Sequence, residues 1–274
     1  MSQTTTSDRA ANADQPADRR LGAATEHRGG EPLIRCDSLV VGWGGRPLLP
    51  AIDLELRRGQ LVAVVGRNGA GKSTWFKTLL GLIPPVAGRV IPCRKALKLS
   101  YVPQSAGIDR ILPLRACDVV QQGRLRGWSF LRPKATRGDC AQCERALEDA
   151  EASDLARLPF RDLSKGQQQR VLFARMLASE TEVALLDEPT AAMDLVSERA
   201  AIELLARLAH DRDMAIVVVS HAPEVATDHA DRILLLDASS QTVLWGDRDE
   251  VLASGCFQRH HRVGPDESPD ADAR

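Results

Sequence analysis

Three features of the sequence predict an α/β fold with a mainly parallel sheet. Short apolar runs recur along the chain, helical patterns separate them, and a central stretch carries helical periodicity without strand signals. The runs are Leu61-Val-Ala-Val-Val65, Leu97-Lys-Leu-Ser-Tyr101, Val183-Ala-Leu-Leu186, Ile216-Val-Val-Val219 and Ile233-Leu-Leu-Leu236. All but the second are uniformly apolar, as strands buried on both faces are. In chain order, residues 1–31 are rich in Thr, Ala, Asp, Arg and Gly without an apolar block, and are expected to form a disordered extension. Residues 33–56 read as an antiparallel β subdomain with a Gly-rich turn at Gly42-Trp-Gly-Gly-Arg46. Strand signals disappear between positions 114 and 181, where Arg145-Ala-Leu-Glu-Asp-Ala150 and positions 168–178 are amphipathic. This places an inserted α-helical subdomain at about residues 106–180. The folded domain is expected to span 32–258, and 259–274, with Pro, Asp, Arg and His replacing apolar residues, to be a disordered tail.

Composition narrows the function classes. Hydrophobic residues make up 43% and charged residues 27% of 274, an ordinary globular mixture that suffices for one large domain with a subdomain. Lys and Arg number 36 against 37 Asp and Glu, so no global basic field argues for nucleic acid as a partner. A spanning helix needs roughly 18 apolar residues in a row; the runs here are strand-sized, and the N-terminal stretch lacks the apolar core of a secretory signal. The six cysteines are scattered, apart from Cys140-Ala-Gln-Cys143, and are expected to be reduced thiols.

The chemistry is concentrated in two segments. Gly66-Arg-Asn68-Gly69-Ala70-Gly71-Lys72-Ser73 matches the phosphate-binding loop pattern, follows an apolar strand and opens a helix that carries Thr74, Trp75 and Phe76. Glycines let backbone amides curl around a phosphate, and the helix N-terminus adds partial positive charge. Lys72 can reach the β/γ oxygens of a nucleotide, while Ser73 can hold Mg²⁺. The apolar strand at 183–186 runs into Asp187 and Glu188, followed by Pro189. Asp187 is placed to hold Mg²⁺, and Glu188 to polarise an attacking water as general base. These are the two halves of a nucleotide site, and the expected fold becomes a P-loop NTPase core.

Leu163-Ser-Lys-Gly-Gln167-Gln-Gln-Arg170, shortly before Asp187, narrows that superfamily to one branch, because it resembles the signature of the ABC ATPases. Tyr101-Val-Pro-Gln104, Ala191-Ala-Met-Asp194 and Ser220-His221 resemble the family's Q-loop, D-loop and switch histidine. The resemblance covers about residues 33 to 255, with the motifs in order and at family spacing. It implies that Gln104 senses Mg²⁺ and the γ-phosphate, that His221 contacts the γ-phosphate, and that Ser164, Gly166 and Gln167 meet the γ-phosphate of a nucleotide on a second copy. It also matches Trp43 to the aromatic that stacks on adenine. The implied assembly is a symmetric homodimer with ATP and Mg²⁺ at its interface. The implied setting is the cytoplasmic face of the cell membrane, beneath an integral membrane permease and with an extracytoplasmic solute-binding protein.

Lys165 departs from the family spelling by replacing the first signature glycine, so a residue with a Cβ must take up the local backbone next to bound phosphate. Trp75 replaces a common Leu and reads as core packing. The segment Leu112-Pro-Leu-Arg-Ala-Cys-Asp-Val-Val-Gln-Gln-Gly-Arg124 is similar to its counterpart in zinc and manganese importer ATPases, which favours metal-ion uptake, with iron-chelate importers as the alternative. A soluble ABC ATPase acting on ribosomes or DNA is a different class, disfavoured by a single cassette without a long coiled coil. A metal sensor using Cys140 and Cys143, or Cys256, His260 and His261, lacks a second Cys pair within the folded part.

Overall fold

In a computed structural model of the chain, the described residues are 30–104, 113–125, 135–191, 193–220 and 223–262, with side chains described to position 258. Among these residues a six-stranded sheet runs in the order β11(Thr242–Asp247), β10(Arg232–Asp237), β5(Gln60–Val65), β9(Ala215–Val219), β8(Val183–Asp187), β7(Leu99–Val102). Neighbours from β10 to β7 pair in parallel, and β11 closes the edge antiparallel to β10. The expected mainly parallel core is therefore present. β11 has no counterpart among the apolar runs because it is half-exposed along most of its length and mixes Thr, Val, Leu, Trp and Asp.

Burial follows from this topology. Leu61, Ala63, Val65, Ala184, Leu186, Ile216, Val218, Ile233 and Leu235 face one side, while Val62, Val64, Leu185, Val217, Val219, Leu234 and Leu236 face the other. Because both faces are covered, these strands read as continuous apolar runs rather than alternating ones. β7, at the sheet edge, is covered less completely, which explains its alternating sequence.

The first face is covered by α5(Leu195–Asp211), α6(Pro223–His229) and the helical insertion. The insertion comprises α2(Ala116–Gln121), α3(Arg137–Asp149) and α4(Lys165–Ala178), which pack on one another. Thr136 and Asp139 close a reciprocal cap at the start of α3, and Ser164 and Gln167 do the same for α4. α3 contains both Cys140, exposed, and Cys143, buried against the insertion's core.

The second face is covered by α1(Lys72–Leu79) and a three-stranded antiparallel sheet in the order β4(Ile52–Arg57), β1(Pro32–Val40), β6(Ala87–Pro92). β1 and β4 account for the expected antiparallel piece; β6 extends it beyond the expected residues. Its sequence Ala-Gly-Arg-Val-Ile-Pro carries no strand pattern because none of its residues is fully buried, and its register on β1 makes it a strand. The Gly-rich turn is a separate ribbon, β2(Gly42–Trp43) on β3(Arg46–Pro47), in which Gly44 and Gly45 both take positive φ (55° and 76°). That pair of conformations defines the two-residue hairpin turn matching strand twist. At the other end the fold continues past the expected boundary at 258, through α7(Arg248–Ala253) and α8(Gly255–Arg262).

Candidate functional site

The phosphate loop runs from the end of β5 into α1, where the all-buried strand delivers it to the C-terminal edge of the parallel sheet. A Cβ on Gly66 would stand 2.3 Å from the Leu236 carbonyl oxygen, so only glycine lets the loop leave β5 this close to β10. Gly71 caps α1 in the left-handed conformation with no side-chain hydrogen bond. The first-turn amides are thus left without a side-chain acceptor, and with the helix dipole they form an anion-binding end. Asn68 and Gly69 are exposed, and a Cβ at Gly69 would meet nothing within 4 Å, so the loop's outer face is open to a ligand. Ala70 is buried beneath it.

Lys72 folds back over the loop, donating from Nζ to the Gly66 carbonyl and, at 3.0 Å, to the Arg67 carbonyl. Burial pushes its pKa down, opposed by the charges of Glu188 and then Asp187. Both carboxylates thus lie near enough to act on the ammonium electrostatically. Its hold on two carbonyl oxygens is of a kind that phosphate oxygens can replace, since an ammonium has three rotatable donors.

β8 ends at Asp187, whose Oδ2 accepts from Ser73 Oγ at 3.5 Å and from the Tyr101 hydroxyl at 3.1 Å. One hydroxyl and one carboxylate oxygen side by side at a loop built for phosphate suit Mg²⁺, a hard cation that takes oxygen ligands. Tyr101 is a contact that motif reading missed. The available signal was that the chain's single tyrosine lies three positions before Gln104, on the strand that pairs with β8. Its pKa is pushed up to about 12 by burial and by the Asp187 charge, so it stays a proton donor to that carboxylate.

Glu188 follows in the left-handed region at φ 51°, a conformation uncommon for a residue with a Cβ. Its amide donates to the Val219 carbonyl at 3.0 Å, tying it to the end of β9. Gln104 lies two residues beyond β7 and is exposed. Ser220, the first residue after β9, is buried; His221, the neighbouring candidate, lies outside the described residues.

Trp43 is held beside α1 by a hydrogen bond from its indole Nε1 to Thr74 Oγ1 at 3.2 Å, while 57% of the residue is exposed. Lys77 Nζ lies 5.8 Å from the ring centroid. An aromatic face fastened at its polar edge and open to solvent next to a phosphate loop can receive a planar base. Trp75, one position beyond Thr74, is fully buried and packs on Phe76 at 5.6 Å, as expected for a core residue.

The signature residues are elsewhere. Ser164, Gly166 and Gln167 form the start of α4, and Ser164 and Gln167 hydrogen-bond to each other, N to Oε1 at 2.9 Å and N to Oγ at 3.3 Å. Among the described residues none of the three bonds to the phosphate loop or to Asp187. Lys165 is the first residue of α4, with ordinary negative φ and an exposed side chain. The Cβ at this position therefore carries no backbone strain, contrary to the concern raised by its spelling. The structure thus gathers Trp43, the loop, Thr74, Ser73, Asp187 and Glu188 at one edge of the sheet, and sets the signature apart on the helical insertion.

Comparison with known proteins agrees with this layout. The sequence pattern of the family described as "ABC transporter" matches residues 49–191. The manganese transport system ATP-binding protein MntB of Bacillus subtilis is 37% identical over 209 residues, 74% of this chain and 82% of that protein. The high-affinity zinc uptake system ATP-binding protein ZnuC of the same organism is 30% identical over 230 residues, 80% and 99% of the two chains. The hemin import ATP-binding protein HmuV of Streptomyces coelicolor is 37% identical over 239 residues, 82% of each. Among solved structures, an inward-facing metal-chelate type ABC transporter superimposes with a TM-score of 0.74 at 28% identity, covering 85% of this chain and 90% of the other. On these matches the chain belongs to the ABC transporter family, as one of its ATP-hydrolysing subunits.

Proposed function

We propose that the chain powers an ABC importer of metal ions such as zinc or manganese. It works as a homodimer on the cytoplasmic face of the membrane, beneath a permease served by an extracytoplasmic solute-binding protein. The manganese and zinc relatives support the substrate class, and among the described residues no helix is long and apolar enough to cross a membrane. The observation that carries the dimer is the separation of the signature from the phosphate loop. Ser164 and the start of α4, among the described residues, make no bond to the phosphate loop of their own chain, and a helix N-terminus suits an anion brought by another copy. A second copy, turned about a two-fold axis, presents its loop to that end, so that two ATP molecules complete two shared sites. ATP favours the closed pair because only that state makes both sets of contacts, and hydrolysis removes the preference.

Within each site, the loop amides and Lys72 hold the phosphates, with Gly66, Asn68, Gly69, Ala70 and Gly71 shaping the cradle. Trp43 stacks on adenine, its ring set in place by Thr74. Ser73, Asp187 and Gln104 would hold Mg²⁺, which would supply charge neutralisation at the phosphates. Glu188 takes the proton from the attacking water, and His221 and Gln104 sense the γ-phosphate. Ser164, Gly166 and Gln167 bind the γ-phosphate held by the partner.

The test is transport. The chain, reconstituted with its permease in proteoliposomes and supplied with binding protein, should show hydrolysis stimulated by Mn²⁺ or Zn²⁺ together with uptake of that ion. Stimulation by haem or a ferric chelate alone would instead establish the second reading, an iron-chelate importer, which the hemin relative and the metal-chelate type structure favour. Hydrolysis that neither the permease nor either class of solute changes would refute both.

A further inference from the structure

One buried carboxylate is used by neither the phosphate loop nor the signature. Glu198 lies on the first turn of α5, four residues after Asp194, the N-cap of that helix, and is only 9% exposed. Its Oε1 accepts two hydrogen bonds, from Thr190 Oγ1 and from Ser220 Oγ, both at 2.8 Å. Thr190 is 4% and Ser220 8% exposed, so both contacts are shielded from water. Thr190 stands two residues after Glu188 on the exit from β8, and Ser220 is the first residue beyond β9. β8 and β9 are neighbours, with Asp187 opposite Val219. The carboxylate therefore pins together the two strand exits between which Glu188 sits.

Glu188 needs such support. It stands at φ 51°, and a left-handed residue with a Cβ persists only where its surroundings determine it more strongly than local sterics oppose it. Two backbone contacts bracket it: its amide to the Val219 carbonyl at 3.0 Å, and the Ala191 amide to its own carbonyl at 3.2 Å. The first holds only while β9 ends in register beside β8. The second closes the turn that contains Thr190. The shared hydrogen-bond acceptor on Glu198 fastens both ends of this arrangement.

We propose that Glu198 is a positioning residue for hydrolysis, holding the strained backbone of Glu188 in its working conformation through Thr190 and Ser220. This rests on the reading of Glu188 as general base. Removing the carboxylate leaves two buried hydroxyls without their acceptor and lets the β8 exit relax toward an unstrained φ, which carries the Glu188 side chain away from the attacking water. The effect falls on the chemical step, because among the described residues no hydrogen bond joins Glu198 to the phosphate loop.

The experiment uses the purified full-length chain and the variants Glu198→Ala, Glu198→Gln, Thr190→Val and Ser220→Ala. Glu198→Ala should lower kcat at least about tenfold with the ATP dissociation constant within about twofold of the parent, the signature of lost transition-state placement. Glu198→Gln keeps an oxygen able to accept from both hydroxyls and should recover kcat to within about threefold of the parent. A second readout needs no nucleotide: amide hydrogen exchange at Glu188, bonded to Val219, should accelerate at least about tenfold in Glu198→Ala, with exchange at Val64 in β5 unchanged. If Glu198→Ala does not fold, Thr190→Val and Ser220→Ala each remove one of the two bonds and should each lower kcat without weakening ATP binding. Parent kcat in the folded variants, or unchanged exchange at Glu188, overturns the proposal. Parent-rate hydrolysis by Glu188→Gln would overturn the assignment of the base instead, and the exchange measurement would still decide whether Glu198 holds that segment.

Discussion

Replacing Lys72 by Ala should weaken ATP binding by about 30- to 150-fold, and the figure follows from what the ammonium touches. In the nucleotide-free chain it donates to the Gly66 and Arg67 carbonyls. On binding ATP it exchanges these for bonds to phosphate oxygens, where both partners are charged. Two such bonds contribute roughly 4 kcal/mol, and giving up the two carbonyl contacts costs about 1–2 kcal/mol, leaving a net of about 2–3 kcal/mol, or 30- to 150-fold in the dissociation constant. The loop amides and the helix end survive the substitution, so binding is weakened rather than abolished. Equilibrium dialysis with ATP and Mg²⁺ measures the constant, and thermal unfolding without nucleotide, expected to shift by only a few degrees, excludes a folding defect. A dissociation constant within about threefold of the parent, in a chain with parent thermal stability, would refute the assignment of Lys72 to the phosphates.

Glu188→Gln keeps the shape of the side chain but removes the proton acceptor. It should stop hydrolysis and produce an ATP-dependent shift from monomer to dimer in size-exclusion chromatography; adding Ser164→Arg should abolish the shift, and a monomer at saturating ATP and Mg²⁺ would contradict the shared site. Trp75→Ala empties a fully buried position packed on Phe76 and should cost about 3–5 kcal/mol in urea unfolding, whereas a loss below about 1 kcal/mol would show that the site collapses around the cavity. Asp139 is held down to about 2 by the Thr136 hydroxyl and then Arg124, from an ordinary carboxylate value of 3.8. Because the folded pKa is the lower one, its stabilisation is present above about pH 4 and is lost as pH falls toward about 2. Asp139→Asn should therefore flatten the fall of the urea midpoint between those values; an unchanged slope would place the acid sensitivity elsewhere.

Much of the fold was legible because its physics is local. Strands buried on both faces must be uniformly apolar, and four of the five core strands announced themselves that way. The phosphate loop was legible because its backbone geometry demands glycines at given spacings, and the carboxylates at 187 and 188 because they end an apolar strand. β6 and β11 were not legible. Both lie at sheet edges and are only partly covered, so no clear burial pattern is imposed on their residues and pairing with β1 and β10 makes them strands.

By itself, then, the sequence determined the class of fold, the nucleotide chemistry and the family, since each depends on residue types at short, fixed separations. Tertiary structure alone decided the rest. It showed that Lys165 begins a helix without strain, a question of φ that spelling cannot answer. It brought Tyr101 to Asp187 and fastened Trp43 to Thr74, contacts between residues 86 and 31 positions apart. It also placed Glu198 beneath two strand exits, with Thr190 and Ser220 as its partners. Those three residues form no motif, because what joins them is the register of β8 on β9 and the packing of α5 against the sheet, and such long-range geometry leaves no pattern along the chain.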